Sequence, residues 1–401
     1  MVNYFQIIFI LCLISSVARF VLDSYLPSLP AISNAFGISD TRTQLTLTLY
    51  LIGFSISQLI YGPLSDHYGR RIIILFGLSI FVFGNLICAI ASSPTVLLVA
   101  RLIAGAGAGV CGVLNRAIAS DCFKGADFSK AWSYTTTSLV VTLCVAPVVG
   151  GYIQELMGWR GNFIIATAYV TIALAIIVKF LPETNESKIS KKIGEASLCT
   201  NKIIKNYYTI IINPSFISGA ICYTLAFSGL IAYFQVSPLL FINHLGLSPS
   251  QYGWCSLIIA LTYLAGGLIV NRFAKSLGTH YLLMSGTLLL IVGGILMMIT
   301  NALHYRHIAA ILLPSAIYVV GARIVIPNAI ANSMQKVRHL NGSSSALLGS
   351  LQMLGASCIS YWIAKFDYKT SFPLAVFLTT LGCVTLVSYL LFRASHDQVF
   401  E

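Results

Sequence analysis

Twelve apolar stretches, each parted from the next by glycine, proline or charge, run along the chain at residues 5–27, 43–64, 72–92, 95–120, 132–154, 161–181, 214–242, 251–271, 279–300, 307–331, 342–364 and 370–393. Most reach the roughly 20 residues a helix needs to cross the hydrocarbon core of a bilayer, and stretches this long read as spanning helices. One long polar interval, about 182–213, gathers Glu183, Glu186, Lys188, Lys191, Lys192, Lys202 and Lys205. It divides the spans six and six. The pattern predicts an all-α integral membrane protein of twelve transmembrane helices in two pseudo-symmetric six-helix bundles, 1–185 and 214–401, joined by a cytoplasmic linker at 186–213.

Composition agrees with the pattern. Hydrophobic residues make up 57% of the chain and charged residues 9%, with a mean hydropathy of +0.86, whereas a soluble domain carries roughly a quarter of its residues charged. No room is left for a sizeable soluble domain. The net charge of +12 could suggest nucleic acid, yet Lys and Arg form no dense patch with interleaved aromatics outside the apolar stretches, so no nucleic-acid partner is expected. Ten cysteines are scattered singly through those stretches with no paired spacing. They support neither a disulfide framework nor a zinc site and read as small apolar fillers. The N-terminal stretch lacks a basic start and passes through Arg19 and Asp23 without a clear cleavage signal, so it reads as the first, uncleaved helix.

Positive charge sets the orientation. With the N-terminus in the cytoplasm, fifteen of the 24 Lys and Arg fall on the cytoplasmic side, among them Arg70, Arg71, Lys124, Lys130, Arg272, Lys275, Lys336 and Arg338. Five fall outside: Arg42, Arg160, Arg306, Lys365 and Lys369. That threefold bias is the positive-inside direction and places both termini in the cytoplasm. The remaining four, Arg19, Arg101, Arg116 and Arg323, lie inside predicted spans.

Related halves are suggested by a faint repeat. Gly62-Pro-Leu-Ser-Asp66 after the second span is echoed by Gly267-Leu-Ile-Val-Asn271, followed by Arg272, after the eighth, and six-helix repeats are a known transporter plan. In the loop Gly62-Pro63-Leu64-Ser65-Asp66-His67-Tyr68-Gly69-Arg70-Arg71, Gly69 permits a tight turn. Asp66 can sit near a helix N-terminus, and Arg70 and Arg71 can anchor the cytoplasmic surface. This loop resembles the signature of the major facilitator superfamily. Asp23-Ser-Tyr25-Leu26-Pro27-Ser-Leu-Pro30 resembles a segment of its Bcr/CflA drug–proton antiporter branch. Arg101-Leu-Ile-Ala-Gly105-Ala-Gly107-Ala-Gly109 is similar to a motif whose arginine is linked to proton transfer in relatives. Ala146-Pro147-Val148-Val149-Gly150-Gly151 is similar to the antiporter motif of drug exporters, with Ala146 where glycine is more usual. The resemblance runs over most of the chain, more strongly in the first half. It implies the major facilitator fold, with spans one, four, seven and ten lining a cavity, and a conformational motif of Gly62, Asp66, Gly69, Arg70, Arg71, Pro147, Gly150 and Gly151.

The buried charges are the candidate chemistry. Of the twelve acidic residues only Asp23 falls well inside a span, and all seven histidines fall in loops, near span ends or in the tail. Asp23 is therefore the expected proton carrier. A charge in the hydrocarbon region costs roughly 2.5–3.5 kcal/mol on insertion scales and usually faces a cavity or a partner. Arg19 stands four residues before Asp23, on the same helical face, and Arg101 has a comparable depth, so either can be its partner. Arg116 lies about 22 Å along the helix from Arg101 and only about 60° around it, towards the cytoplasmic mouth. Arg323 falls near the middle of the tenth span. Four arginines against one carboxylate predict a cavity with surplus positive charge, which favours anions. Tyr50, Phe54, Tyr223, Phe227 and Gln352 are expected to complete the site.

These features predict a monomeric, proton-coupled exporter in a bacterial inner membrane. An anionic substrate, such as a polycarboxylate metabolite or a siderophore, is favoured over a cationic drug. The alternatives are a multidrug–proton antiporter, an importer of the same fold, and, from another class, a membrane receptor or scaffold. The chain shows no nucleophile-and-base pair, no metal-ligand cluster and no phosphate-binding loop, and Gly105-Ala-Gly107-Ala-Gly109 has the wrong spacing for a dinucleotide site. No enzymatic activity, cofactor or metal is expected; the partners are the small-molecule substrate, protons and the lipid bilayer. Anion recruitment of Arg19 or Arg101 would make Asp23 easier to protonate, which describes symport, whereas exchange requires a substrate that prefers ionised Asp23. The sign of the coupling is open at this point.

Overall fold

Serine, proline and glycine punctuate the chain where the helices begin and bend. Ser39 opens the helix Asp40–Tyr68 by accepting the Arg42 N–H at 3.4 Å, and Ser93 opens the helix Pro94–Cys122 by accepting from Val96 at 3.3 Å. Ser248 and Gln251 cap each other reciprocally at the start of the helix Pro249–Ala302. Each device satisfies N–H groups that a helix start leaves without partners.

The computed structural model describes residues 4–185, 207–305, 307–334, 341–366 and 368–397. Its long helices are α1 (Tyr4–Ser24), α2 (Leu29–Phe36), α3 (Asp40–Tyr68), α4 (Arg70–Ile90), α5 (Pro94–Cys122), α6 (Gly125–Phe180), α7 (Pro214–Pro238), α8 (Pro249–Ala302), α9 (Ile308–Met334), α10 (Asn341–Ala364) and α11 (Phe372–Asp397). No β-strand occurs among the described residues. Among the described residues, eleven stretches are long and apolar enough to cross a membrane. One of them, α6, holds 56 residues and turns back at Gly158 (φ 71°, ψ −178°), which makes it two spans and the total twelve. Gly278 (φ 71°, ψ 168°) divides α8 in the same way.

The predicted first span is not one helix. Pro27 and Pro30 lack the N–H that a continuous helix needs, and the chain passes from α1 through a 3-10 turn, Leu26–Ser28, into α2. The seventh span likewise ends in a π-helical turn, Leu239–His244. Of the predicted linker, 186–206 lie outside the described residues, as do Arg306, Lys336 and Arg338.

The helices turn apolar side chains outward and keep polar ones inside. Phe76, Phe83, Leu156 and Leu268 are exposed, while Gln44, Asn85, Arg101 and Gln235 are buried. Apolar burial gives no drive between helices in lipid, so close packing and interhelical hydrogen bonds carry the association. Gly105 and Gly107 of α5 bring its backbone against Tyr50 of α3 and Phe81 of α4.

Two seams join the halves. Along the first, α3 meets α10: Thr48 and Ser360 share a hydrogen bond of 2.6 Å, and Ser55 donates to the Ser350 carbonyl at 2.9 Å while Ser350 donates back at 3.0 Å. Along the second, α6 meets α8 where Gly151 packs on the backbone of Pro249 and Ser250, and Gly253 on that of Pro147 and Val148. Glu155 there accepts the Ser250 N–H at 2.9 Å.

Candidate substrate cavity and proton site

Between the halves lies a cavity of about 1380 Å³. Asp66, His67, Arg70 and Lys124 line its mouth on the side of the Gly62–Arg71 loop, and Arg19, Leu22 and Phe234 line its depth. The opposite side is closed by the α6–α8 crossing and by Gln235 of α7, which donates to Gln44 at 2.9 Å and to the Ser360 carbonyl at 3.0 Å.

At the blind end α1 presents an ion pair. Arg19 Nε lies 2.5 Å from Asp23 Oδ2, one helical turn apart, with the two side chains 14% and 2% exposed. The structure therefore chooses between the two partners the sequence left open. Arg19 is a lining residue and Asp23 is not, so the pair joins the cavity to the closed interior.

Arg101 holds a different place. It is fully buried, with its guanidinium 4.1 Å from the ring centre of Tyr25 and 4.3 Å from that of Tyr50. Its Nε reaches the Thr46 carbonyl at 3.5 Å, and neither terminal nitrogen meets a hydrogen-bond partner among the described residues. Aromatic faces attract a cation when it is desolvated, each by about 2 kcal/mol. Tyr50, expected in the substrate site, is buried against Arg101 and does not line the cavity.

The other candidates divide. Phe54, Tyr223, Phe227 and Gln352 line the cavity, with Tyr223 donating to Gln352. Arg116 lines it nearer the mouth, its guanidinium 5.7 Å from the Trp132 ring centre and 3.9 Å from Met334 Sδ. No carboxylate among the described residues pairs with it. Arg323 is not a lining residue: it lies over the Tyr263 ring at 5.1 Å and against Gly266 and Gly267. The surplus of cavity charge expected from four arginines is thus smaller than expected but still positive. Of the four, two face the cavity, and Asp23 neutralises one of them.

The motif loop is held by a cluster that the sequence only partly showed. Arg70 pairs with Asp66 at 2.5 Å and with Asp121 at 2.9 Å, and donates to Ser65 Oγ at 2.6 Å. Asp66 does not occupy the N-terminus of α4. Glu183 does, accepting from the N–H groups of Arg70 at 2.8 Å, Arg71 at 3.3 Å, and Thr184 and Asn185 both at 3.1 Å. Gly69 enters α4 at φ 98°, a backbone that side chains other than hydrogen disfavour, and its Cα lies against this carboxylate. Pro147, Gly150 and Gly151 sit at the closed end, where Gly150 packs on Ser24 beside Asp23.

Two helical bundles around a cavity shut at one end, with an ion pair at its blind end, are the architecture of a membrane transport protein. Residues 8–360 match the family described as Major Facilitator Superfamily, and the chain belongs to it. It is 26% identical over 401 residues to "Multidrug resistance protein D" of Escherichia coli, covering 98% of this chain and 97% of that one. It is also 26% identical over 389 residues to a "Bicyclomycin resistance protein homolog" of Haemophilus influenzae, covering 96% and 94%. These relatives carry the names expected of the Bcr/CflA branch. Among solved structures, a D-xylose–proton symporter superposes with a TM-score of 0.75 at 15% identity, covering 97% of both chains, and shows the shared fold.

Proposed function

We propose that this transporter exports a small amphiphilic organic molecule, of the antibiotic-like kind, in exchange for protons. In this reading the side of the Gly62–Arg71 loop is cytoplasmic, the membrane is a bacterial inner membrane, and one chain with halves 1–185 and 214–401 is the working unit. The names of its relatives favour drug export over a polycarboxylate or siderophore substrate, and so does a cavity lined by Phe54, Phe128, Trp132, Phe227 and Phe234.

The observation that carries the reading is the Arg19–Asp23 pair at the blind end. While Asp23 is ionised it neutralises Arg19, whose guanidinium stands at the cavity wall 6.0 Å from the Phe234 ring centre. Protonation of Asp23 removes the charge that holds the guanidinium, which then turns to the cavity, and its desolvation opposes a lipophilic substrate there. Proton and substrate thus exclude each other from the same state, which is the requirement for exchange. For a substrate whose anionic group sat on Arg19 itself, the same geometry would give symport.

The test is Asp23→Asn in proteoliposomes, with chloramphenicol, for which a relative is named, as the probe. Gradient-driven transport is expected to vanish while substrate exchange without a gradient persists. Undiminished gradient-driven transport by the variant would falsify the assignment.

A further inference from the structure

Asp23 and Arg19 both stand on α1, so the ion pair alone gives the second half no means of sensing whether a proton is bound. What the second half brings to this place is a set of hydroxyls. Arg19 lies 6.0 Å from the ring centre of Phe234 on α7, and Ser237 follows three residues on, along the same side of that helix. Ser237 and Tyr252 of α8 share a hydrogen bond of 3.0 Å, and both are fully buried. On the side of the first half, Gly150 packs on the Ser24 carbonyl, and Gly151 beside it packs on Pro249 and Ser250 at the start of α8. Tyr252 stands two residues past Ser250, and the charge of Asp23 reaches it.

The remaining ionisable groups around Asp23 are Tyr50 of α3, with Arg101 over its ring, and Tyr233 and Cys255 beyond Tyr252. From α6 the neighbours are glycines. With Arg19 on its carboxylate, Asp23 leaves the Tyr252 hydroxyl to Ser237. Protonation changes what the site needs. A neutral carboxyl group loses its hold on Arg19 and becomes a donor, and burying that O–H without an acceptor is costly. A hydroxyl oxygen has two acceptor lone pairs, and the bond to Ser237 occupies at most one of those on Tyr252.

We infer that Tyr252, held by Ser237, is the second-half acceptor for the O–H of protonated Asp23, so that loading the proton ties α1 to α8 and favours closure of this end. The tie is lost when α8 moves away from α1. Proton affinity is therefore higher in the closed state, and by linkage closure is gained as pH falls. The loaded transporter then opens towards the Gly62–Arg71 loop, and losing the proton there loosens the closed end. The inference rests on Asp23 as the proton site of the exchange reading and names the residue through which its state reaches the other half.

The test reads conformation and proton binding separately. Spin labels at Leu156 and Leu303, exposed at the closed end on the two halves, are placed in the full chain with its ten cysteines replaced. Distances are recorded in lipid nanodiscs from mildly alkaline to mildly acidic pH. Acidification is expected to raise the closed-to-open ratio about twofold to tenfold, the worth of one hydrogen bond. Tyr252→Phe, which deletes the acceptor, should lose this response, and Ser237→Ala should keep part of it. Tyr233→Phe, which deletes a buried hydroxyl beside Ser237, should keep it whole. Chloramphenicol binding should weaken on acidification in the wild type and in Tyr252→Phe alike, because Asp23 still takes its proton, and should not respond in Asp23→Asn.

Opening on acidification in the wild type overturns the inference, as does an undiminished response in folded Tyr252→Phe or an equal loss in Tyr233→Phe. If Tyr252→Phe does not fold, a full response in Ser237→Ala overturns it instead. Binding that ignores pH in the wild type removes the exchange reading and this inference together. Binding that follows pH, with distances in Tyr252→Phe that still respond fully, removes this inference alone.

Discussion

Gly151→Ala is the sharpest single probe of how the closed end is held. A Cβ built on Gly151 meets the Pro249 carbonyl carbon at 2.8 Å and Ser250 Cα at 2.9 Å, with the Pro249 oxygen closer still. All three belong to the other half of the molecule, and backbone cannot swing aside as a flexible side chain does. The halves must separate at this end or α6 must shift, and overpacking of this kind costs about 1–3 kcal/mol. A two-state equilibrium between closed and open at this end would then move by about fivefold to 150-fold. Spin labels at Leu156 and Leu303, both exposed, in a background with the ten cysteines replaced, would report it as a growing long-distance population in double electron–electron resonance. Gly253→Ala, which meets Pro147 and Val148 across the same seam, should act in the same direction. Gly150→Ala is the control: its Cβ would meet Ser24 within one half, so it should lower stability without separating the labels. An unchanged distance distribution in folded Gly151→Ala, or an equal change in Gly150→Ala, refutes the reasoning.

Two further outcomes concern the motif loop. Glu183→Ala leaves four N–H groups around the start of α4 without their carboxylate and should destabilise the first half by roughly 2–3 kcal/mol, read as a lowered melting temperature in detergent, with Glu183→Gln in between. Asp66→Asn should change stability by less than about 1 kcal/mol, because its side chain is 69% exposed and exposed pairs contribute little. It is nonetheless expected to slow transport at equal expression, and normal turnover would detach the loop's charge from the transport cycle.

The spans were legible because a bilayer leaves a backbone few options: every polar group must be satisfied within the segment, and a run of apolar residues announces the helix. Arg19 and Asp23 were legible as a pair because both stand on one helix, four residues apart. Where contacts join distant segments, the sequence was mute. Glu183 reaches the start of α4 from 113 residues away, and the box around Arg101 is built by Tyr25 and Tyr50 from two other segments. Depth along a helix can be counted from its ends, but direction around a bundle cannot. That is why Arg323 was expected in the cavity and stands instead against Tyr263, Gly266 and Gly267. A signal was available there, since paired glycines facing a long side chain offer it room. The break at Leu26–Ser28 was likewise written in Pro27 and Pro30.

The aromatic box around Arg101 bears on a task separate from moving substrate, which is to keep the membrane ion-tight. A guanidinium is not deprotonated in proteins, and tyrosine rings, unlike a carboxylate, hold it without cancelling its charge. The contribution of Arg101 to the potential at the closed end is therefore independent of the state of Asp23. A hydronium or metal cation approaching to about 8 Å meets a barrier of about 2 kcal/mol at an effective dielectric near 20, or roughly thirtyfold in rate. On the proposed exchange reading, Arg101 would insulate the shut side, so that a proton held at Asp23 would leave only when the halves have turned and would not short-circuit the gradient.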